Sequence, residues 1–85
     1  MTQEEKSSAL NLIHQLKSFC DGISDSISIQ IAERIPTIDD KTLRLFNVTR
    51  EGMKEEAIRF DEHVKKVARA LIETKDMIDK MECSE

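Results

Sequence analysis

The side chains best suited to metal or covalent chemistry are two histidines, two cysteines and several carboxylates, and their spacing decides what they can do. Helical bundles that hold metals use Glu-x-x-His pairs, because a step of three puts both ligands on one helix face. His14 has Asn11 at that step and His63 has Phe60, so neither forms such a pair. Folding the chain back on itself would bring His14 and His63 near one level, with Asp61 and Glu62 adjoining, which admits an incidental metal site. Both histidines read better as half-exposed side chains flanking a seam. Cys20 and Cys83 form neither a Cys-x-x-Cys pair nor a disulfide framework. Cys20 reads as a small buried hydrophobe and Cys83 as part of a fraying tail. A Gly-rich phosphate loop and a Ser-His-Asp arrangement are also missing from the pattern. The expectation is a protein with no catalytic residues, no cofactor and no metal site, and therefore not an enzyme.

Two further patterns have bland readings. Asn47, Val48 and Thr49 match a glycosylation sequon, which an intracellular chain would never present to the transferase. Met53, Met77 and Met81 could line an adaptable groove, but at seam spacing they read as core filler. The formal net charge of -4 argues against a nucleic-acid partner, since binding phosphates takes clustered Lys and Arg. Lys65, Lys66 and Arg69 are offset by Asp61, Glu62 and Glu73 and read as a solvated helix face. With no apolar run long enough for a membrane span and no signal-peptide pattern, the chain is expected in the cytoplasm, with the nucleus as alternative.

What the sequence specifies strongly is periodicity. From Leu43 to Met81, alternating steps of three and four visit Leu43, Phe46, Arg50, Met53, Ala57, Phe60, Val64, Val67, Leu71, Thr74, Ile78 and Met81, ten of twelve apolar in a chain 39% apolar. Ala9, Ile13, Leu16, Cys20, Ile23 and Ile27 keep the same rhythm in the first third. A repeat of 3.5 keeps each stripe against a neighbouring helix. Thr2 and Glu5 have the form of a capping box, so the first helix is expected over about residues 3–35, ending at Pro36. The weak stretch Asp21 to Ser28 stays in phase, so the helix is read as continuous through Gly22. A turn at 36–39, with Thr37 or Asp39 as cap, leads into a second helix over about 40–82. The fold class is all-α, a single elongated antiparallel helical hairpin of coiled-coil type, completed to a helical bundle by partner helices.

Folding at residues 36–39 pairs positions whose numbers add up to 74 or 75. That register sets Gly22 level with Gly52 and brings Arg50 near Asp21 and Asp25, where a polar pair would fix alignment. It also leaves the second helix overhanging by roughly ten residues, about 15 Å at 1.5 Å per residue. The expected protein interface is Ile13, Leu16, Phe46, Met53, Phe60, Val64, Val67, Leu71, Ile72, Met77, Ile78 and Met81, the last five on the overhang, with Ala68 and Ala70 widening the stripe beyond one seam.

The layout, with Phe60 to Met81 as its heptad stretch, resembles small helical subunits of vesicle and lysosome adaptor complexes, of the head of the transcriptional Mediator and of kinetochore assemblies. No motif selects one of them, and no family is assigned. The implied function is that of a non-enzymatic structural or adaptor subunit whose partners are other helical chains. The alternative is a self-associating hairpin, a dimeric four-helix bundle with a regulatory or chaperone-like role.

Overall fold

The computed structural model describes residues 1–82, an all-α hairpin drawn out into a rod of 63 × 18 × 15 Å. Helix α1 spans Gln3–Ile29. Its start is the capping box: Thr2 Oγ1 accepts from the Glu5 backbone N–H at 3.1 Å, and the Glu5 carboxylate accepts from the Thr2 N–H at 3.3 Å. Hydrogen bonds from Thr2 hold the Glu5 carboxyl below its ordinary range. The helix passes through Gly22 without a break.

Approaching Pro36 the helix loosens rather than stops. Pro36 has no N–H to give, so the preceding turn widens into a π-helical segment, Gln30–Arg34, with the Ile35 N–H bonded to the Gln30 carbonyl five residues back. A tight 3₁₀ turn, Ile35–Thr37, then takes Pro36 near its start, where the missing donor costs nothing. The helical backbone therefore continues past position 35. Its wide turn carries Ile35 into the core, 8% exposed.

The second helix differs more from the expected 40–82 span. Asp39 accepts from the Thr42 N–H at 2.7 Å and starts a short helix α2, Asp40–Leu45. Asn47 then ends it in the left-handed region, φ 55°. The Asn47 N–H reaches the Arg44 carbonyl at 3.1 Å and the Val48 N–H reaches the Leu43 carbonyl at 3.0 Å, the paired bonds of a Schellman cap. Thr49 at once caps the next helix, accepting from the Gly52 N–H at 2.9 Å, and α3 runs Arg50–Asp79. Two caps within three residues outweigh the unbroken apolar stripe, which crosses the break without continuing the helix.

This insertion resets the whole register. Ser24 Oγ donates to Asp61 Oδ1 at 2.5 Å, and Lys6 Nζ donates to the Asp79 and Met81 carbonyls at 3.1 and 3.2 Å. Facing positions thus add up to about 85, ten more than folding at Pro36 implies. Gly22 consequently lies level with His63 and not with Gly52. A Cβ on Gly22 would meet nothing within 4 Å, so close approach of the helices at paired glycines is overturned. Arg50 stays far from Asp21 and Asp25: it pairs with Asp40 at 2.9 Å and donates to the Ile38 carbonyl, pinning α3 to the turn. His14 is level with Leu71, eight residues or about 12 Å along the axis from His63, so the two histidines do not meet. The overhang disappears as well, because α1 reaches the last turn of α3.

The core is thin. Cys20, Ile27 and Val64 form its centre, packed by Ile23, Ile31, Ala57, Ala68 and Leu71, with Ile13, Ile35 and Leu43 buried further along. No described side chain is completely enclosed. Two helices side by side can seal only the line between them.

Candidate protein-interaction surface

Each long helix carries two apolar columns, and only one column of each is spent on the other helix. On α1 the buried column is Ile13, Cys20 and Ile27, repeating every seven residues. On α3 it is Ala57, Val64, Leu71 and Ile78, buried or half-buried at the same repeat. The companion column of α3, Phe60, Val67 and Thr74, faces out: Phe60 is 53% exposed and Val67 42%. On α1 the outward side chains beside the seam are Leu12, Leu16 and Phe19, with Ile23 half-buried below them.

These uncovered columns meet on one side of the hairpin. Leu16, Phe19, Cys20, Ile23, His63, Val64, Val67 and Leu71 line a single groove of about 300 Å³ with no Asp, Glu, Lys or Arg in its walls. The opposite side is polar. There Asp61 accepts from Ser24 and pairs with Lys65 at 2.9 Å, Lys17 pairs with Asp21 at 2.9 Å, and Lys75 with Asp79 at 3.1 Å. The hydrogen bond from Ser24, then that from Lys65, holds the Asp61 carboxyl below its ordinary range. Helical phase explains the split. Ser24 and Asp61 sit one position along from Ile23 and Phe60, and a step of one turns a helix by about 100°.

The expected interface residues therefore divide. Ile13 and Val64 are buried inside the hairpin, and Leu71, Ile78 and Met53 are half-buried. Leu16, Phe60 and Val67 lie on the apolar face. Phe46 belongs to a separate patch at the closed end, where Ile38, Thr42, Leu43, Val48 and Met53 line an apolar hollow with it. Ile72 and Met77, 41% and 63% exposed, sit away from the groove, with Ile72 next in phase to Ala68 on the polar side. Met81 follows α3 in the stretch that Lys6 ties down. With no overhang, these distal residues do not form a free apolar tail.

Leu12 and Phe19 were not on the expected list. Their signal was present, since Leu12, Leu16, Phe19 and Ile23 recur at the helical spacing of four, three and four residues. It lay one position beside the seam and was masked by it. Cys20 is a free thiol at the centre of the core, and Cys83 lies outside the described residues. Among the described residues no group of three or more His, Cys, Asp or Glu is placed to hold a metal ion, and no helix is long and apolar enough to cross a membrane. Fold and surface together define a two-helix hairpin with one apolar and one ion-paired face. No protein-family model, curated protein or solved structure matches the chain.

Proposed function

We propose that this chain is a non-enzymatic structural subunit that adds two helices to a larger helical-bundle assembly. The observation that carries the reading is the half-used seam. Heptad columns pack when both the a-type and d-type positions are covered, and here the outward columns of α1 and α3 lie side by side on one face. Leaving Leu16, Phe19, Phe60 and Val67 in water forfeits about 25 cal/mol for each Å² that a neighbouring helix would cover. A charge-free apolar groove suits packing against helices; its walls supply no acid, base or nucleophile beyond His63 and the buried Cys20.

The experiment is co-purification of the endogenous protein with Phe19→Asp and Phe60→Asp variants beside Lys65→Gln, a change on the polar face. The reading expects retained helical partners, or retained self-assembly, for wild type and Lys65→Gln, and loss for both Phe variants. Equal retention by all four chains would remove the apolar face as the assembly surface and the reading with it.

A further inference from the structure

Resting on that reading of the apolar face, we propose that its occupant is a second copy of this chain, placed face to face to form an antiparallel four-helix bundle. Three observations lead there. The first is area. The chain exposes 6662 Å², whereas a compact monomer of its 9.8 kDa mass exposes about 5,200 Å². The excess, on the order of 1,500 Å², comfortably covers the roughly 800 Å² per partner of a stable interface.

The second observation is charge. A chain of net charge -4 repels its own copy, so self-association needs a face from which charge is missing. The groove is that face: its walls hold no Asp, Glu, Lys or Arg, while the ion pairs of Lys17, Asp61, Lys65 and Lys75 lie on the side turned away. Pairing through the groove leaves these three ion pairs of each copy on opposite outer surfaces. A foreign helix chosen by charge would find no charged side chain in the groove to read.

The third is shape. In the hairpin register Phe60 lies at the level of residue 25 of α1, while the groove centres near the level of Phe19, so the protruding ring stands about six residues, or ~9 Å, along the same face. A two-fold axis lying in the interface at right angles to the helices, midway between ring and groove, sets Phe60 of each copy into the groove of the other. One operation satisfies both contacts, which is what an isologous interface requires. Because an isologous contact uses the groove face of both copies at once, and the smaller apolar patch around Phe46 lies apart from it at the closed end, the assembly closes at two layers and does not grow into a filament through the groove.

Sedimentation equilibrium on the full chain, together with thermal melts across a hundredfold range of concentration, tests this. The expected mass is twice 9.8 kDa, with a melting temperature that rises with concentration, as mass action requires of a dimer. Phe60→Asp should weaken self-association about a hundredfold or more, and Lys65→Gln should leave it within about twofold. Should Phe60→Asp fail to fold, the concentration dependence of the wild-type melt still decides. A cooperative 9.8 kDa monomer whose melting temperature ignores concentration overturns the proposal. So does a dimer that Phe19→Asp and Phe60→Asp both leave intact. If the monomer instead captures a different helical chain through the same face, the dimer is refuted while the structural-subunit reading survives.

Discussion

Single residues decide where the helices begin and end. Asn47 holds a left-handed φ of 55°, a conformation costing most L-residues about 1–2 kcal/mol and Asn or Gly less. Asn47→Val should therefore lower stability by that amount in urea unfolding, whereas Asn47→Gly should be close to neutral. The two glycines should respond in opposite directions. Gly22 is helical, and a Cβ there meets nothing within 4 Å, so Gly22→Ala should stabilise by up to about 1 kcal/mol. A Cβ on Gly52 lands 2.9 Å from Thr49 Oγ1, the atom that caps α3. Displacing that cap costs about 1 kcal/mol, which cancels the gain in propensity, so Gly52→Ala should not stabilise. Acid sensitivity follows from Glu5, Asp39 and Asp61, all of whose carboxyls are held below their ordinary range by hydrogen bonds, from Thr2, Thr42 and Ser24 respectively. A carboxylate with a depressed folded-state pKa adds stability that is present above its unfolded value, near 4, and lost as pH falls through the folded one. The melting temperature should accordingly hold near neutrality and drop below about pH 4, and Asp61→Asn should shrink that drop. An unchanged acid limb in the variant would show that the Ser24 bond does not form in solution.

At the scale of elements, the heptad columns were legible because burial against a helix imposes them directly. Ile13, Cys20, Ile27, Val64 and Leu71 face the seam as their spacing requires. The capping box at Thr2 was legible for a similar reason, since both of its partners lie within four residues. The break after α2 was not. Its cause, a left-handed Asn47 followed by a capping Thr49, is a competition between local backbone bonds and a stripe that happens to stay in phase from Leu43 to Met53. One missed turn displaced the register by ten positions, and the glycine pairing, the Arg50 contact and the overhang went with it. The corrected register carries its own prediction. Lys6 caps the carbonyls of Asp79 and Met81, where a cation offsets the negative end of the helix. Lys6→Ala should speed amide exchange in the last turn of α3, with no comparable change near Val64.

Taken as a whole molecule, the hairpin is a single layer whose thin core leaves every buried side chain some contact with solvent. Disrupting that layer should be costly. Val64→Asp puts an unpaired charge beside Cys20 and Ile27 and should cost about 3 kcal/mol or more, while the exposed Lys66→Ala should stay within about 0.5 kcal/mol. Deleting residues 76–85 should loosen the first turns of α1, because those turns pack on this end of α3 and Lys6 loses its acceptors. Circular dichroism and proteolysis at residues 3–12 would show it. A first helix that stays fully protected would mean that the first turns of α1 do not depend on the last turns of α3.

The bond from Lys6 to Met81 also places the first and last turns of the hairpin at the same pole of a 63 Å rod, with Asn47 at the other. Tension applied between residues near these two turns would load the contacts one after another, peeling the helices apart like a zipper. Pulling instead from the first turn of α1 and from Asn47 would load α1 along its own axis, so that its backbone hydrogen bonds must stretch together while no peeling force acts on the seam. The same molecule should therefore yield at low force in the first geometry and resist in the second, a directional strength set by the ten residues between Asp40 and Thr49.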